Sequence, residues 1–474
     1  MKKQAFSSYL PSWEYIPDGE PHVFEGRVYV YGSHDRFNGY AYCLNDYICY
    51  SAPIDDLSDW RYEGVIYETE ADPLNRERYM CLYAPDVTQG PDGRYYMYYV
   101  LDGVLIVSVA VCDTPAGAYA FYGYVHYADG TRLGERFGDE PQFDPAVITE
   151  GETTYLYTGF AAKGDKSRSG AMVTVLAADM LTIVEAPVFV VPSHAYGAGT
   201  CFAGHEFFEA SSIRKKGDTY YFVYSSSLMH ELCYATSKSP TKDFVYGGVI
   251  VSNCDMHIDT YKPAEMKTYY GGNNHGGMVE VNGQWYIFYH RHTNGTNFSR
   301  QTCAQPIEIL ADGSIPQVEL TSCGLNGGPL LGRFEYPTYI ACNLFSKTVD
   351  NNHPTHHESW MDGDFAKITQ DGRDGDEEVG YIANMRDGTV AGFKYFECKN
   401  VKKIKIRTRA YARGFMEVKL AWDGETLAKI PIAYANIWTV GVADICIPDG
   451  VWPLYFEFKG EGGVSFASFA LQNG

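Results

Sequence analysis

The stretch YIPDGEPHVFEGRVYVYGSHD, residues 15–35, contains two short apolar runs separated by a turn at Gly26. Side chains that alternate between apolar and polar are typical of β-strands, because successive residues point to opposite faces. Glycine readily adopts the backbone angles that tight hairpin turns require. The stretch therefore predicts a β-hairpin, and two carboxylates, Asp18 and Glu20, stand just before its first strand.

The same unit recurs along the first two thirds of the chain as an aromatic strand that follows a glycine turn. Its five copies are GRVYVYGSHD from residue 26, GRYYMYYV from 93, TTYLYTGF from 153, DTYYFVYSSS from 218 and GQWYIFYHRH from 283. The matching tyrosines are Tyr29, Tyr96, Tyr155, Tyr221 and Tyr286, which lie 67, 59, 66 and 65 residues apart. Such a period suits blades of four strands, so residues 1–330 are predicted to form a five-bladed β-propeller. A β-sandwich of similar hairpins is the alternative.

An ionisable residue precedes each marker tyrosine by ten to twelve positions. These residues are Asp18, Asp86, Asp144, Glu209 and His275. The first strand of a propeller blade lines the central axis, so we expect the five side chains to converge on one cavity. Crowded carboxylates are costly unless protons, cations or a function compensate them. Taken singly, each acid also fits a turn or a cap, and the histidine fits a structural hydrogen bond.

Several motifs resemble glycoside hydrolase family 43. The segment DGEPHVFEGRVYVYGSHD carries the family's first acid motif, FDPAV the second and FEASSIRKKGDTYYF the third, while YAPDV and NNHGGMVEVNGQWYIFYHRH match two further family segments. The resemblance covers about residues 10–325. It implies a five-bladed propeller with a general base at Asp18, a pKa-modulating Asp144 and a general acid at Glu209.

The ends of the second strands should return to the same face of the propeller and rim the cavity, and the resemblance adds further site residues. Substrate contacts are expected at His34, Asp35, Tyr83, Asp86, Phe143 and Arg291. His275 is expected to face a central calcium or sodium ion, or a water molecule. No cofactor is expected for the chemistry itself.

Two departures from the family motifs bear on the assignment of the base. Asp18 is followed by Gly19, whereas the acid directly before a proline is Glu20. Asp18 shares its distance from the marker tyrosine with Asp144 and His275, so we assign it as the base and Glu20 as a supporting or turn residue. After Glu209 the chain reads Ala-Ser instead of the family's Gly-Pro.

The resemblance implies an inverting, exo-acting hydrolase of pentosides. An α-L-arabinofuranosidase is the first expectation and a β-D-xylosidase the second, and inversion predicts carboxyl groups roughly 6.5–9.5 Å apart. A non-catalytic sugar-binding propeller is an alternative of another class. A glycoside phosphorylase is a third, for which only Arg291 and Arg300 are obvious phosphate ligands.

The sequence pattern changes in the C-terminal third of the chain. Residues 331–350 are predicted to be a linker or strap, and residues 351–474 a β-sandwich, because short alternating strands follow one another at regular spacing. This part is similar to carbohydrate-binding module family 6, which implies a structural calcium. Candidate sugar-stacking residues are Trp360, Tyr381, Trp422, Trp438 and Trp452.

The composition narrows the range of partners and compartments. A formal charge of -21 disfavours nucleic acids and anionic membranes as partners. The twelve cysteines form no CxxC pair and the N-terminal segment lacks the apolar core of a signal peptide, so a cytoplasmic location is expected. A small neutral oligosaccharide is the expected substrate, and the oligomeric state is left open.

Overall fold

A computed structural model describes residues 3–348 and 365–474. The regular structure of these residues is built from β-strands and single turns of 3-10 helix. The 3-10 turns are Thr69–Ala71, Gly324–Asn326 and Thr338–Ile340. None of the helices in these two ranges is long and apolar enough to cross a membrane.

The first nineteen strands form five antiparallel sheets, each with its strands in chain order. Blades one and two contain β1 (Glu20–Phe24), β2 (Arg27–Tyr31), β3 (Tyr47–Pro53), β4 (Arg61–Tyr67), β5 (Asp86–Gln89), β6 (Tyr95–Val100), β7 (Val107–Cys112) and β8 (Ala120–Tyr124). Blades three and four contain β9 (Ala146–Glu150), β10 (Thr153–Thr158), β11 (Gly170–Leu176), β12 (Ile183–Pro192), β13 (Phe207–Lys216), β14 (Thr219–Ser226), β15 (Glu231–Ser237) and β16 (Val245–Ser252). Blade five contains β17 (Met278–Val281), β18 (Gln284–His292) and β19 (Arg300–Ile307).

The repeat found in the sequence corresponds to these blades. The five marker tyrosines all lie on the second strand of their blade, and the inner strands β1, β5, β9, β13 and β17 contact one another in a closed ring. The predicted five-bladed propeller is therefore confirmed. Alternation places apolar side chains between neighbouring blades, which is why the second strands are almost wholly buried.

The ring is closed by the beginning of the chain. Blade five has three strands, and the N-terminal segment runs along the free edge of β19. The Ala304 N–H group donates to the Ser7 carbonyl at 2.9 Å, and the Ser7 N–H group donates to the Ser322 carbonyl at 3.0 Å. Gly19 and Gly276 form a further parallel bridge between blades one and five.

A second sheet of ten strands follows the propeller. Its strands are β20 (Leu330–Leu331), β21 (Glu335–Pro337), β22 (Asn343–Ser346), β23 (Lys367–Thr369), β24 (Tyr381–Met385), β25 (Thr389–Cys398), β26 (Val401–Lys419), β27 (Ala428–Ile432), β28 (Ala435–Ile447) and β29 (Gly450–Asn473). The expected sandwich is realised as one curled sheet, because the long strands β26 and β29 pair along most of their length. Phe393, Phe456, Phe466 and Phe469 pack together inside the curl.

The segment predicted as a linker differs from that expectation. Residues 330–346 supply β20, β21 and β22, which pair with β25 and β29 of the second sheet. Leu330, Tyr336 and Leu344 are buried in the core of that sheet. The glycine-rich residues before them turn the chain, but the segment itself is ordered by its apolar side chains.

The two parts of the chain share buried contacts. Lys394 of the second sheet is fully buried, and its Nζ atom lies 3.6 Å from Asp255 and 3.8 Å from Glu319. Arg291 of blade five donates to the backbone carbonyls of Tyr339 and Ala341. Buried charges are tolerated only with partners, so each part completes polar groups of the other.

Of the aromatic residues predicted to stack on sugars, Trp360 lies outside the described residues and the other four contact neighbouring protein groups. Trp422 and Trp452 donate their indole N–H groups to backbone carbonyls. Tyr381 and Trp438 pack edge to face at 5.2 Å. Sugar binding by this sheet stays a prediction.

A loop of the second sheet also fixes a loop of blade one. Asp374 accepts hydrogen bonds from the Phe37 N–H group at 2.7 Å and from Asn45 Nδ2 at 3.1 Å. Tyr15 donates to Gln370 Oε1 at 2.8 Å beside this contact. The loop of residues 36–45 is therefore held from outside the propeller.

We expect Asp374→Ala to loosen this loop, because a hydrogen bond to a charged group contributes about 1.5–3 kcal/mol. Amide hydrogen exchange of residues 36–45 should accelerate by about tenfold or more, which mass spectrometry measures. The matched control is Asp387→Ala, which removes a carboxylate that caps Gly460 within the second sheet. Equal acceleration in both variants, or none in either, would contradict this role of Asp374.

Candidate active site

A cavity of about 280 Å³ opens where the inner strands of the five blades begin. Every blade contributes a residue to its wall, as expected for the axis of a propeller. The lining residues are Asp18, Tyr42, Cys43, Tyr83, Ala84, Phe143, Asp144, Phe160, Phe208, Glu209, Met229, Asn273, His275 and Arg300. The structure thus brings together the three acids that the sequence analysis singled out.

The backbone turns sharply at each of the three acids. Asp18 and Asp144 have φ angles of 58° and 43°, and Ala210, directly after Glu209, has a φ of 68°. Residues other than glycine rarely occupy this left-handed region, and such strain is concentrated at functional sites. In β13 the turn coincides with a bulge, since the pairing with β14 shifts on both sides of Glu209. These turns direct the carboxylates into the cavity instead of into the sheets.

Asp18 is surrounded by cationic and hydrogen-bonding groups. Arg300 Nη1 donates to its two carboxylate oxygens at 3.0 and 3.3 Å, and His290 Nδ1 lies 3.2 Å from Oδ1. Although burial opposes ionisation, Arg300 and His290 hold the pKa of Asp18 well below its usual range. Asp18 is therefore a carboxylate at neutral pH.

Glu209 has the opposite character. Burial and the nearby charge of Asp18 raise the pKa of Glu209 to about 8, against the opposing effects of Arg300 and a hydrogen bond with Asn273. Glu209 therefore carries a proton at neutral pH. The same cavity holds one ionised and one protonated acid, which is the combination that general acid and general base catalysis requires.

Asp144 accepts a backbone hydrogen bond and also has a raised pKa. Its Oδ2 atom accepts the Ala210 N–H group at 2.9 Å, while burial, with a further contribution from the neighbouring acids Glu209 and Asp18, raises its pKa well above the usual range. The sequence analysis assigned the raised pKa of Glu209 to Asp144. In the structure the main causes are burial and Asp18.

The expected contacts Tyr83 and Phe143 both belong to the cavity wall. Their rings meet edge to face at 5.4 Å, and Phe143 continues to Phe160 and then Phe208 at 5.3 Å each. This continuous aromatic wall offers flat apolar faces to the cavity that the acids also line. Such faces suit the C–H surface of a sugar ring.

Four other expected substrate contacts do not line the cavity. His34 Nδ1 pairs with the Asp46 carbonyl at 2.9 Å. Arg291 is directed towards the second sheet, where backbone carbonyls bind its guanidinium group. Both lie near the ends of second strands, as predicted, but their polar atoms are engaged elsewhere.

Asp35 and Asp86 are buried behind the wall. Asp35 accepts hydrogen bonds from Arg300 Nε at 2.9 Å and Nη2 at 3.0 Å, so it positions the partner of Asp18. Asp86 is the first residue of β5 and accepts from the Val147 N–H group at 2.7 Å. The backbone of Asp86 is extended and paired in the sheet, and its side chain does not line the cavity. His22 Nε2 lies 2.6 Å from its Oδ1 atom.

Glu20 is the first residue of β1 and is buried. Its Oε2 atom accepts hydrogen bonds from Ser212 Oγ at 3.0 Å and from Arg214 Nη2 at 2.8 Å. Its Oε1 atom is 3.9 Å from His275 Nε2, and among the residues described neither atom has a hydrogen-bond partner. Glu20 is absent from the cavity lining, whereas Asp18 and His275 belong to it.

Arg300 as the partner of Asp18, and Tyr42 and Asn273 as parts of the wall, were not predicted from the sequence. The repeat locates only the starts of inner strands, whereas Arg300 begins β19 and Tyr42 lies in the loop before β3. The Arg300 guanidinium group packs 4.8 Å from the Tyr42 ring. The one signal available in the sequence was the HRH motif of residues 290–292. Arg300 pairs with His292 of that motif and so lies at the same end of blade five.

The chain is similar to several known proteins. The family described as glycosyl hydrolases family 43 matches residues 22–315. A xylosidase/arabinosidase of Thermoclostridium stercorarium is 70% identical over 471 residues, 99% of each chain. A xylosidase/arabinosidase of Bacteroides ovatus is 29% identical over 348 residues, which cover 66% of this chain and 97% of that protein.

A solved structure extends the likeness to both parts of the fold. A family 43 arabinoxylan arabinofuranohydrolase from Bacillus subtilis, crystallised with cellotetraose, superposes with a TM-score of 0.52 at 19% identity. The superposition covers 98% of this chain and 96% of that one, and at this identity it concerns the fold alone. The family match and the relative at 70% identity decide the identity: the chain belongs to glycosyl hydrolases family 43 and is a glycoside hydrolase.

Proposed function

We propose that the protein is an exo-acting, inverting glycoside hydrolase that releases single pentose residues. The observation that carries the proposal is the pairing of an ionised Asp18 with a protonated Glu209 in one small cavity. An α-L-arabinofuranoside is the first substrate and a β-D-xyloside the second. Both sugars are neutral, so the acidic protein surface does not oppose them.

In the proposed reaction Asp18 takes a proton from a water molecule that attacks the anomeric carbon. Glu209 donates its proton to the oxygen that leaves, so that both groups act in the protonation states they hold at neutral pH. Arg300 keeps Asp18 ionised, and Asp35 keeps Arg300 in place. Asp144 orients the start of β13 through the Ala210 N–H group.

The size and wall of the cavity support release from a chain end. At about 280 Å³ the cavity is at the small end of ligand pockets, which run from about 300 to 1,000 Å³. A cavity of this size suits one small sugar ring enclosed by the acids and the aromatic wall. The names of the two curated relatives support pentosides of either kind.

The first test compares nitrophenyl α-L-arabinofuranoside with nitrophenyl β-D-xyloside for the native protein and for Glu209→Gln. We expect hydrolysis of at least one pentoside and a fall in kcat/KM above about pH 8, where Glu209 loses its proton. With oligosaccharides, whose leaving groups need protonation, Glu209→Gln should lose about 10²–10⁴-fold. With a dinitrophenyl glycoside the loss should be smaller, because that leaving group needs little help.

Absence of turnover on every pentoside would favour the non-catalytic sugar-binding alternative, and a requirement for phosphate would favour a phosphorylase. Proton NMR of the first product anomer tests inversion separately. A product with retained configuration would contradict the assignment of Asp18 as a base that activates water.

The second test separates Asp18 from Glu20. Asp18→Asn should reduce kcat by about 10²–10⁴-fold, because an amide cannot accept the proton of water. Glu20→Gln should cost about tenfold or less, since glutamine still accepts hydrogen bonds from Ser212 and Arg214. Circular dichroism checks that both variants fold, and the reverse order of losses would show that the base is misassigned.

We further propose that Glu20 and His275 hold a central ion. Glu20 Oε1 and His275 Nε2 are buried, lack partners among the described residues and face each other across 3.9 Å. Oxygen ligands bind calcium at about 2.3–2.6 Å, so the gap is wide enough for a shared hard cation. A bound cation would supply positive charge among crowded acids. The calcium expected in the second sheet stays a prediction.

The ion proposal predicts that calcium raises the Tm of the chelator-treated native protein, because a ligand that binds only the folded state stabilises it. His275→Leu and Glu20→Gln should each abolish most of this shift, which scanning calorimetry measures. If the native protein shows no shift, a water molecule and not an ion bridges the two residues. If both variants keep the full shift, calcium binds elsewhere.

A further inference from the structure

A second cluster of potential metal ligands lies in blade four, away from the proposed catalytic acids. It consists of His205, just before β13, and of Glu231 and Cys233 on β15. His205 Nδ1 is 2.7 Å from Glu231 Oε1, Cys233 Sγ is 3.4 Å from the same oxygen, and Sγ and Nδ1 are 3.9 Å apart. Three chemically different ligand atoms thus form a compact triangle.

Within residues 3–348 and 365–474, one oxygen of the carboxylate in this cluster is left without a partner. Glu231 is fully buried, and among the residues described its Oε2 atom has no hydrogen-bond partner. Burial of a carboxylate is costly unless its oxygens are satisfied. The compensating group is His205, whose side chain is 30% exposed and gives the cluster a route to solvent.

We propose that His205, Glu231 and Cys233 bind a borderline-soft divalent metal ion, with zinc(II) as the best match. Zinc binds thiolate sulfur at about 2.3 Å and imidazole nitrogen or carboxylate oxygen at about 2.0–2.2 Å. Tetrahedral angles then place ligand atoms about 3.3–3.6 Å apart. Of the three distances in blade four, 3.4 Å lies within this range, 3.9 Å is about 0.3 Å above it and 2.7 Å is about 0.6 Å below it, so His205 must move away from Glu231 to admit the ion.

Surrounding groups already orient these ligands. Ser226 Oγ donates to Glu231 Oε1 at 2.6 Å, and the His205 ring stacks on Tyr246 with centroids 5.0 Å apart and an angle of 14°. Tyr224 donates to the His205 carbonyl at 2.7 Å. Such outer contacts fix ring orientation and raise the metal affinity of histidine and carboxylate ligands.

The exchange of protons for metal leaves the charge of the cluster unchanged. With His205 and Glu231 taken as an ion pair and Cys233 as a thiol, the metal-free cluster has no net charge. On binding, the imidazole and the thiol each release one proton, and one divalent cation takes their place. The balance is two protons out for two positive charges in, so no net charge enters this buried region. Binding must therefore weaken as pH falls.

An ion at this place would connect two segments of blade four. The turn between β14 and β15 joins Ser226 to Glu231 and carries Met229, which lines the catalytic cavity. An ion on His205, Glu231 and Cys233 would tie this turn to the start of β13. The inference does not depend on which glycoside the cavity accepts.

Zinc and cobalt binding to the full-length, chelator-treated protein tests the site. We expect a thiolate-to-cobalt charge-transfer absorption in the near ultraviolet at one equivalent per chain, displaced by zinc. Titration calorimetry in two buffers of different ionisation enthalpy should report release of about two protons. Cys233→Ser and His205→Gln should each weaken binding by about 100-fold or more, beyond the cost of losing an outer contact.

Cys201→Ser is the matched control, because Cys201 is an exposed thiol four residues before His205. It should keep the cobalt absorption. Absence of a thiolate band in the native protein would overturn the site, as would a band that is lost in Cys201→Ser but kept in Cys233→Ser. Cys233 is buried, so Cys233→Ser could lose metal binding through misfolding. His205 is partly exposed, so His205→Gln should fold, and it should abolish the metal-induced rise in Tm.

Discussion

The buried contact of Arg300 with Asp18 and Asp35 is the interaction on which both the ring and the site depend. Arg300 is 3% exposed and donates to both carboxylates. Residues 18 and 35 flank the first hairpin, whereas residue 300 begins the last strand of the propeller, so one guanidinium group joins the ends of the ring. Removal of one partner of such a buried group typically costs about 3–5 kcal/mol, because an unpaired charge remains.

The same guanidinium group sets the order of ionisation among the acids. Burial raises the pKa of Glu20, Asp144 and Glu209, as expected for carboxylates without enough compensating charge. Asp18 escapes this effect because Arg300 and His290 both contact it. Its negative charge then raises the pKa of Glu209. The difference between base and acid therefore follows from the position of one cation, not from two separately tuned sites.

The repeat in the sequence was enough to predict the five blades and to place Asp18, Asp144 and Glu209 in one cavity. It was not enough to tell which residues of the shared phase point into that cavity. Asp18 and Asp144 precede their strands in left-handed conformations, whereas Asp86 already pairs with Tyr98 inside the sheet. Asp18 and Asp144 stand two residues before β1 and β9, whereas Asp86 is the first residue of β5, and sequence spacing does not show where a strand begins.

Contacts distant in sequence could not be read from the repeat at all. Arg300 reaches Asp18 across 282 residues, and Phe37 reaches Asp374 across 337 residues. The segment predicted as a linker shows the same limit. Its glycine and asparagine residues indicated turns, whereas the buried Leu330, Tyr336 and Leu344 determine how it pairs with the second sheet. Local patterns specify elements, while the polar partners of buried groups are specified only by the assembled fold.

The second sheet supports the propeller through contacts with its buried polar groups. In this chain that sheet satisfies the guanidinium group of Arg291, shares the buried Lys394 with Asp255, and holds the loop of residues 36–45 through Asp374. That loop carries Tyr42 and Cys43 to the cavity wall. The sheet is thus part of the support of the active site, because polar groups of the propeller that would otherwise be buried and unpaired depend on it.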